Sequence, residues 1–196
     1  MGAMLTERQA ARRERVLKAA LTLAAGGGYD AVQMRDVAAE ARVALGTLYR
    51  YFSSKDQLLV AALGEWARDT QQKLLTKPPR GETPADRAAD VLRRAARALE
   101  REPRLTAALV TALSNLSADD PKALGYARDV YGTLSDLITE TIGEADVPDR
   151  DAVIQVLGQV WFSTLVWWVR GWEAEGMMGD ALETAVRALI PNSKRR

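Results

Sequence analysis

The chain has 196 residues, of which 47% are hydrophobic, enough to bury the core of one large domain or of two small ones. It contains neither cysteine nor histidine, so disulfides, zinc–thiolate sites and histidine-based catalysis or metal binding are excluded. The net charge of +1 conceals an asymmetry, because residues 1–60 carry nine Lys and Arg against six acids, whereas residues 61–196 carry 18 against 20.

The predicted secondary structure is helical nearly throughout, because Ala, Leu, Arg and Glu dominate and alternating β-branched residues are scarce. Capping-box patterns, prolines at first helical positions and glycines at helix ends mark the boundaries. We therefore expect an all-α fold. The signals predict about nine helices, approximately over residues 6–25, 33–41, 44–51, 54–75, 83–101, 105–116, 120–143, 147–173 and 180–190.

Four of these boundaries rest on specific residue patterns. Residues 6–9 form a capping-box pattern, and residues 26–28, three consecutive glycines, are expected to end the first helix. Residues 54–57 form a second capping-box pattern, and Thr83 followed by Pro84 predicts a capped start for the fifth helix. No apolar run reaches 18 residues and the N-terminus has no apolar signal-peptide segment, so no membrane span is predicted and a cytoplasmic location is expected.

The most informative segment covers residues 32–56. It predicts two short helices joined by a tight turn, followed by an aromatic cluster and a new helix start. Val37, Leu48 and Phe52 are expected to face inward. This is the pattern of a helix-turn-helix whose second helix enters the major groove of DNA.

The second of these helices carries residue types suited to contact with DNA. Ala44, Gly46 and Thr47 are small or polar, which allows the backbone to approach base edges. The Thr47 hydroxyl suits a phosphate, and its methyl group suits the methyl of thymine. Tyr49 and Tyr51 flank Arg50, and tyrosine hydroxyls and cationic side chains commonly fix the register through phosphate contacts.

Two further cations lie near predicted helix starts. Lys55 and Arg35 lie in the first turns of their predicted helices. A positive charge at this position opposes the helix dipole unless an anion such as phosphate is nearby. For any single residue, an ordinary packing or surface role explains the residue about as well as a DNA contact does. Tyr49 and Tyr51 suit a core, and Arg50 suits a solvated surface. The combination at this spacing is much more specific than its members.

Residues 31–59 resemble the DNA-binding signature of the tetracycline-repressor (TetR) family of bacterial regulators, in the segments MRDVAAEA and GTLYRYFSSKDQLL. The resemblance implies an all-α homodimer whose two heads bind successive major grooves and whose body binds a small molecule that alters the spacing of the heads. Arg42 stands where the family usually has glycine in the turn, and Ala44 where Ser or Thr often caps the recognition helix. Carried over by position, the implied DNA contacts are Arg35, Ala44, Leu45, Thr47, Tyr49, Arg50, Tyr51 and Lys55.

The head is also similar to that of actinobacterial repressors of steroid catabolism, over the segment GGYDAVQMRDVAAEARVALGTLYRYFSSKDQLLVAALG. This similarity implies an effector that is a CoA thioester derived from a sterol. It lies mostly in the head, whereas the effector is bound by the body. The predicted division is a DNA-binding domain over residues 1–54 and a ligand-binding and dimerisation domain over residues 55–196.

The eighth predicted helix is apolar on more than one face and holds four of the five tryptophans. Such a helix must be buried on several sides. The family resemblance implies that the last two long helices pair with their copies across a two-fold axis, and internal packing is the alternative for each residue. The predicted interface residues are Val160, Trp167, Trp168 and Leu189.

A ligand pocket is expected among the fourth to eighth helices. Arg94, Arg97 and Arg128 near an entrance suit a large hydrophobic ligand with an anionic end, whereas Asp136 or Glu140 facing inward suits a lipophilic cation. The predicted lining residues are Leu63, Trp66, Leu109, Leu113, Tyr126, Val130, Leu134 and Trp161.

These features predict a ligand-responsive transcriptional repressor that binds a near-palindromic DNA operator as a homodimer, with no cofactor, metal or membrane partner. The effector is expected to be a hydrophobic molecule, with a steroid- or fatty-acid-derived CoA thioester as the candidate. The alternatives are an efflux-pump repressor that senses lipophilic cationic drugs and a small-molecule-binding protein with a degenerate head. An enzyme is disfavoured, because the acid pairs 119–120 and 149/151 lie at helix starts, where carboxylates cap, and no nucleophile–base pair accompanies them.

Overall fold

The computed structural model describes residues 7–117, 119–143 and 147–191, and every regular element in these ranges is an α-helix. The all-α prediction is therefore confirmed. The helices are α1 (Glu7–Ala31), α2 (Met34–Glu40), α3 (Leu45–Tyr51), α4 (Lys55–Leu75), α5 (Pro84–Glu100), α6 (Pro103–Ser114), α7 (Pro121–Ile142), α8 (Arg150–Val169) and α9 (Met177–Leu189).

Side-chain caps fix several helix starts. At α5 the Thr83 hydroxyl accepts from the Asp86 N–H at 3.1 Å, and the Asp86 carboxylate accepts from the Thr83 N–H at 3.2 Å, so the predicted capped start is confirmed. At α4 the Ser54 hydroxyl accepts from the Gln57 N–H at 3.0 Å. The Gln57 side chain accepts from the N–H of Ser53 rather than that of Ser54, which shifts the reciprocal bond of the box by one residue. Thr6, which begins the first predicted capping box, lies outside the described residues.

The first helix was predicted to end at residue 25, two residues before its helical backbone is interrupted. Gly26 and Gly27 remain helical, and α1 is interrupted only at Gly28, with φ 74° and ψ −164°. This conformation costs glycine little, because it has no Cβ. The chain then resumes one more turn, which Val32 closes by donating its N–H to the Tyr29 carbonyl at 3.2 Å.

Two boundaries near the C-terminus also differ from prediction. Helix α8 ends at Val169 rather than near residue 173, because Gly171 adopts φ 73°. The Gly171 N–H donates to the Trp168 carbonyl at 2.9 Å, and the Trp172 N–H donates to the Trp167 carbonyl at 3.0 Å. Together these two bonds form a Schellman C-cap. Helix α9 begins three residues earlier than predicted, after Gly176 at φ 86°.

The acid pairs at helix starts have unequal roles. Asp120 caps α7, since one carboxylate oxygen accepts from the N–H groups of Lys122 and Ala123 at 2.9 and 3.1 Å. Asp149, predicted to cap α8, precedes that helix in a left-handed conformation with φ 48° and makes no side-chain cap bond. The capping interpretation is thus correct for Asp120 and wrong for the Asp149 side chain.

The chain forms two compact units. The first unit comprises Met1–Glu65 and Arg104–Arg128, and the second comprises Trp66–Pro103 and Asp129–Arg196. Within the described part of the first unit, the core is a set of fully buried side chains from α1 to α4 and α6, among them Val16, Leu17, Val37, Leu48, Phe52, Leu58, Leu59 and Leu109. These include all three head residues that were predicted to face inward.

In the second unit, α5 packs on α9 through both apolar and charged side chains. Arg93 pairs with Asp180 at 2.8 Å and also with Glu183. Arg187 pairs with Asp86 at 3.0 Å and with Glu183 at 2.8 Å. Together they form one alternating chain of charges along the two helices. The pKa values of Asp86 and Glu183 are lowered, that of Asp86 mainly by the Thr83 hydroxyl and that of Glu183 mainly by Arg187.

Helix α8 is the one helix of the described residues that is long and apolar enough to cross a membrane by length and composition. About a third of its apolar window is buried within the chain. Phe162 and Trp167 are 41% and 51% exposed, so the expectation that this helix is buried on several sides is not met within a single chain.

Candidate nucleic-acid interface

The turn of the helix-turn-helix is a Schellman C-cap on α2. The Val43 N–H donates to the Ala38 carbonyl at 2.9 Å, and the Arg42 N–H donates to that of Ala39 at 3.1 Å. Arg42 occupies the left-handed position of this motif, with φ 54°. The turn therefore uses the positive φ that a glycine would supply, and a non-glycine residue adopts it at a cost of about 1 kcal/mol.

Helix α3 separates its residues cleanly into two faces. Leu48 is fully buried, as are the core residues Val37 and Phe52, so α3 is anchored by one side. Its N-cap Ala44 makes no side-chain bond, as expected for alanine at that position. The exposed side combines apolar, aromatic and cationic groups and consists of Ala44, Leu45, Gly46, Tyr49 and Arg50.

Tyr51 and Thr47 lie on the less exposed side of α3. Thr47 is half-buried, and the Tyr51 hydroxyl is fully buried with no hydrogen-bond partner among the described residues. The aromatic ring of Tyr51 lies 6.3 Å from that of Phe52. In this structure Tyr51 is therefore placed as a packing residue, whereas Tyr49, 50% exposed, presents its phenol to solvent.

Lys55 is held by Tyr29, a residue that no sequence motif had marked as functional. Its ammonium lies 3.7 Å from the centre of the Tyr29 ring and donates to the Tyr29 carbonyl at 3.2 Å. The Tyr29 hydroxyl donates to Asp56 at 2.6 Å and accepts from the Asn115 amide at 3.2 Å. Burial, followed by the Asp56 bond, raises the pKa of Tyr29, so the phenol stays a neutral donor. The Tyr29 ring and carbonyl therefore stabilise the positive charge of Lys55 at the start of α4, so its position there does not require a bound phosphate.

A second polar link joins the starts of α4 and α7. The Gln57 side chain is 2% exposed and donates to Asp120 at 3.1 Å, through the carboxylate oxygen that does not cap α7. Gln57 was predicted only as a capping residue and Asp120 only as a helix start. Their contact spans 63 positions of the chain, and no local sequence signal could have revealed it.

An aromatic and cationic cluster connects the end of α3 with α1, α4 and α7 inside the first unit. The rings of Phe52 and Tyr126 lie 6.2 Å apart, and the Arg13 guanidinium lies 5.9 Å from the centre of each. Arg13 also pairs with Glu65 at 2.9 Å. Tyr126, predicted as a pocket residue, thus contacts the residue that ends the candidate recognition helix.

The predicted pocket residues are distributed over both units. Leu63, Leu109, Leu113 and Tyr126 belong to the first unit, and Leu109 is part of its core. Trp66, Val130, Leu134 and Trp161 belong to the second, where Trp161 packs against the buried cluster Val91, Ala95 and Leu137. A pocket formed by all eight stays a prediction.

The charged groups considered for the pocket are placed unequally. Trp66, Arg94 and Arg97 line a cavity of about 590 Å³ in the second unit. Arg128 is exposed, and both Asp136 and Glu140 are exposed. The condition attached to the cationic-drug alternative, an inward-facing Asp136 or Glu140, is therefore not met.

The predicted interface residues lie on or near exposed surface. Trp167 is 51% exposed, and Val160, Trp168 and Leu189 are half-buried. Trp172, 71% exposed, packs edge-on against Trp167 at 6.5 Å between ring centres, which is the apolar contact that accompanies a Schellman cap. Among the described residues, no group of three or more acidic side chains could hold a metal ion.

Comparison with known proteins covers both parts of the chain. Residues 16–62 match the tetR family of bacterial regulatory proteins, and residues 81–189 match the tetracyclin repressor-like C-terminal domain. The chain belongs to the tetR family. This confirms the family predicted from residues 31–59 and, with it, a helix-turn-helix transcriptional repressor.

Individual relatives extend the likeness of this tetR-family chain beyond its head. It is 40% identical over 191 residues to the HTH-type transcriptional repressor KstR of Rhodococcus jostii, covering 96% of this chain and 87% of the relative. A solved TetR transcriptional regulator from Rhodococcus sp. RHA1 is 31% identical, with a TM-score of 0.81 over 93% of this chain and 97% of the other.

A more distant solved structure shares the fold of this tetR-family chain. It is the Thermus thermophilus FadR repressor in complex with lauroyl-CoA, 22% identical, with a TM-score of 0.67 over 94% of this chain and 96% of that one. At this identity the likeness shows the fold alone.

Proposed function

We propose that this protein is a repressor that binds a near-palindromic operator as a homodimer and leaves it when a hydrophobic CoA thioester binds. The exposed side of α3 carries the proposal, because it offers a phenol and a guanidinium beside small residues that let the helix approach base edges. The proposed direct contacts are Arg35, Ala44, Leu45, Thr47, Tyr49 and Arg50. Lys55 and Tyr51 do not contact DNA in this proposal, but their packing within the head supports the surface that does.

We assign each proposed contact residue the role that its chemistry suits. Tyr49 and Arg50 donate to phosphates and set the register, whereas the half-buried Thr47 reads a base through its methyl or hydroxyl. Arg35, whose side chain is 87% exposed, contacts the backbone from the start of α2. Two heads then engage major grooves about 34–36 Å apart or a multiple of that distance.

The effector class rests on the relatives and on the sequence resemblance. The Thermus FadR repressor binds lauroyl-CoA, and the head resembles repressors of steroid catabolism, for which a sterol-derived thioester is the corresponding ligand. An apolar acyl group joined to an anionic head also agrees with a basic cavity in the second unit.

We propose that the signal reaches the head through the polar links of the first unit. Asp120 caps α7 and accepts from Gln57 at the start of α4, and Asn115 of α6 bonds to the Tyr29–Asp56 pair. A shift of α6 or α7 therefore strains bonds that fix the start of α4, directly after the recognition helix. Residues 1–54 serve as the DNA-binding domain and residues 55–196 as the ligand-binding and dimerisation domain, and the protein acts in the cytoplasm without catalysing a reaction.

The first test is fluorescence anisotropy of the full-length protein on DNA from just upstream of its own gene, with a scrambled duplex as control. We expect a clear preference for the native duplex and a steep loss of affinity with salt, because phosphate contacts release counterions. Equal, weak binding to both duplexes would contradict the proposed operator.

Two arms then test the readout and the effector. Thr47→Ala is expected to change the preferred base at one position of each half-site, and a uniform loss over all sequences would contradict base reading by Thr47. Lauroyl-CoA and a sterol-acid CoA thioester are expected to release the DNA, whereas tetraphenylphosphonium, a lipophilic cation, is not. Release by the cation alone would favour the efflux-repressor alternative.

A further inference from the structure

The second unit contains a cavity between the latter half of α4 and α5. Its volume is about 590 Å³, within the usual range for small-molecule sites. The lining combines one aromatic side chain, Trp66, and the apolar Leu74 and Pro78 with a majority of charged groups. The lining residues come from α4, from the segment that connects the two helices, and from α5 and its C-terminal end.

The charge of this cavity is strongly unbalanced. Two carboxylates, Asp90 and Glu102, face six cations, and Asp90 is already engaged by Arg94 at 3.0 Å and by the Arg80 N–H at 3.0 Å. The C-terminal ends of α4 and α5 add only about half a negative charge each. A net excess of positive charge remains. The six cations are Lys73, Lys77, Arg80, Arg94, Arg97 and Arg101.

One of these cations, Arg94, is engaged in packing the two helices, whereas others have no carboxylate partner among the described residues and can bind a ligand. Arg94 donates to the carbonyls of Leu74 and Lys77, both at 3.3 Å, and so joins the end of α4 to α5. Lys73, Arg97 and Arg101 are exposed, and within the described ranges none of them has a carboxylate at ion-pair distance. Like charges gathered around one space repel each other, and a polyanion in that space would relieve the repulsion.

The presence of Trp66 in the wall restricts the kind of anion that suits this cavity. Its half-buried indole lies in the cavity wall, and an aromatic face beside a row of cations is the combination that binds a nucleotide, by stacking the base and pairing the phosphates. We propose that this cavity binds the phosphorylated nucleotide end of a CoA thioester, with Arg97 and Arg101 on the phosphates and Trp66 against the adenine. The proposal rests on the proposed function, in which such a thioester is the effector.

The test is isothermal titration calorimetry of full-length protein with adenosine 3′,5′-bisphosphate, which carries the base and phosphates but no acyl chain. The variant R97Q/R101Q is expected to bind it roughly tenfold more weakly, because charge-assisted hydrogen bonds are lost. The control K18Q/R170Q removes the same charge from exposed sites outside the cavity and should stay within about twofold of the unmodified protein. Trp66→Leu is expected to weaken the bisphosphate severalfold and leave inorganic pyrophosphate unchanged.

The outcomes separate this inference from the proposed function. If the unmodified protein does not bind the bisphosphate, or if both double variants lose affinity equally, the cavity assignment is wrong. If lauroyl-CoA and the sterol-acid thioester release DNA from the unmodified protein and from R97Q/R101Q at the same concentration, the effector class stands and the cavity assignment is again wrong. If neither thioester releases DNA but bisphosphate binding depends on Arg97 and Arg101, the cavity assignment stands and the proposed effector is wrong.

Discussion

Helices α3 and α8 both expose aromatic side chains, yet their surfaces suit different partners. On α3 the exposed Tyr49 lies beside Arg50 and small residues, so the exposed polar groups can pair with a phosphate or a base edge. On α8 the exposed Phe162 and Trp167 share a helix that has no basic residue in its last turn. Exposure alone therefore does not identify a partner, whereas the polar groups around the exposed ring do.

The largest expected effect comes from placing a charge on the α8 face. Phe162→Asp should convert the dimer to a monomer in sedimentation, since a carboxylate would be buried in an apolar contact. Operator affinity should fall by at least about 100-fold, because two linked heads bind far more tightly than one. The control is Gln72→Asp, which introduces the same charge on an exposed position of α4. A folded F162D protein that remains dimeric would show that α8 is not the interface.

The next effect distinguishes the two tyrosines of α3. Tyr49→Phe should weaken operator binding about tenfold, because it removes a donor to a charged phosphate. Tyr51→Phe should stay within about twofold and should raise the free energy of unfolding by about 1 kcal/mol, since the hydroxyl that it removes is buried without a partner. Anisotropy titrations and urea denaturation measure both quantities. Equal losses of affinity from the two changes would place Tyr51 at the DNA instead.

A smaller effect compares the Schellman caps that end α2 and α8. Arg42 and Gly171 occupy the same left-handed position, with φ 54° and 73°. Arg42→Gly should raise the free energy of unfolding by up to about 1 kcal/mol, and Gly171→Ala should lower it by about the same amount. A Cβ at Gly171 meets no atom within 4 Å, so its cost is conformational.

Urea denaturation midpoints measure these changes. Arg42→Ala is the matched control, because it removes the charge and keeps the Cβ. Stabilisation by R42A equal to that by R42G would attribute the effect to charge rather than to backbone conformation.

The smallest effect concerns pH and the ion pairs between α5 and α9. The folded-state pKa of Asp86 lies below its ordinary value of 3.8, chiefly because of the Thr83 hydroxyl. Its contribution to stability is therefore complete above that value and is lost as the pH falls through the lower folded-state value. Asp86→Asn should be less stable than the unmodified protein at pH 7, and the difference should shrink on acidification below pH 4. Melting temperatures across this range would detect it, and a constant difference would exclude the Asp86 carboxylate as its source.

Much of the fold could be predicted because its signals are local. Thr83 followed by Pro84 fixed the start of α5, and the pattern around Val37, Leu48 and Phe52 identified the inward side of the helix-turn-helix. The end of α1 was less predictable, since three consecutive glycines tolerate helical and non-helical backbone alike, and only Gly28 leaves the helix.

The side-chain roles in the head were predicted less completely. Tyr49 and Tyr51 are two positions apart on a helix, which places them on different faces, but sequence alone did not show which one faces the core. Lys55 was attributed to phosphate because its partner Tyr29 is 26 positions away. Contacts over such separations depend on how helices pack, which no pattern within one helix encodes.

The helices, the tight turn and the family follow from the sequence, because caps, glycines and apolar periodicity act within a few residues of each other. Three features depend on tertiary packing: Tyr51 and Lys55 are held within the head, Gln57 reaches Asp120, and unpaired cations from α4 and α5 line one cavity. Burial and pairing are properties of neighbours in space. A charged or aromatic residue acquires its role from the side chains that packing brings beside it.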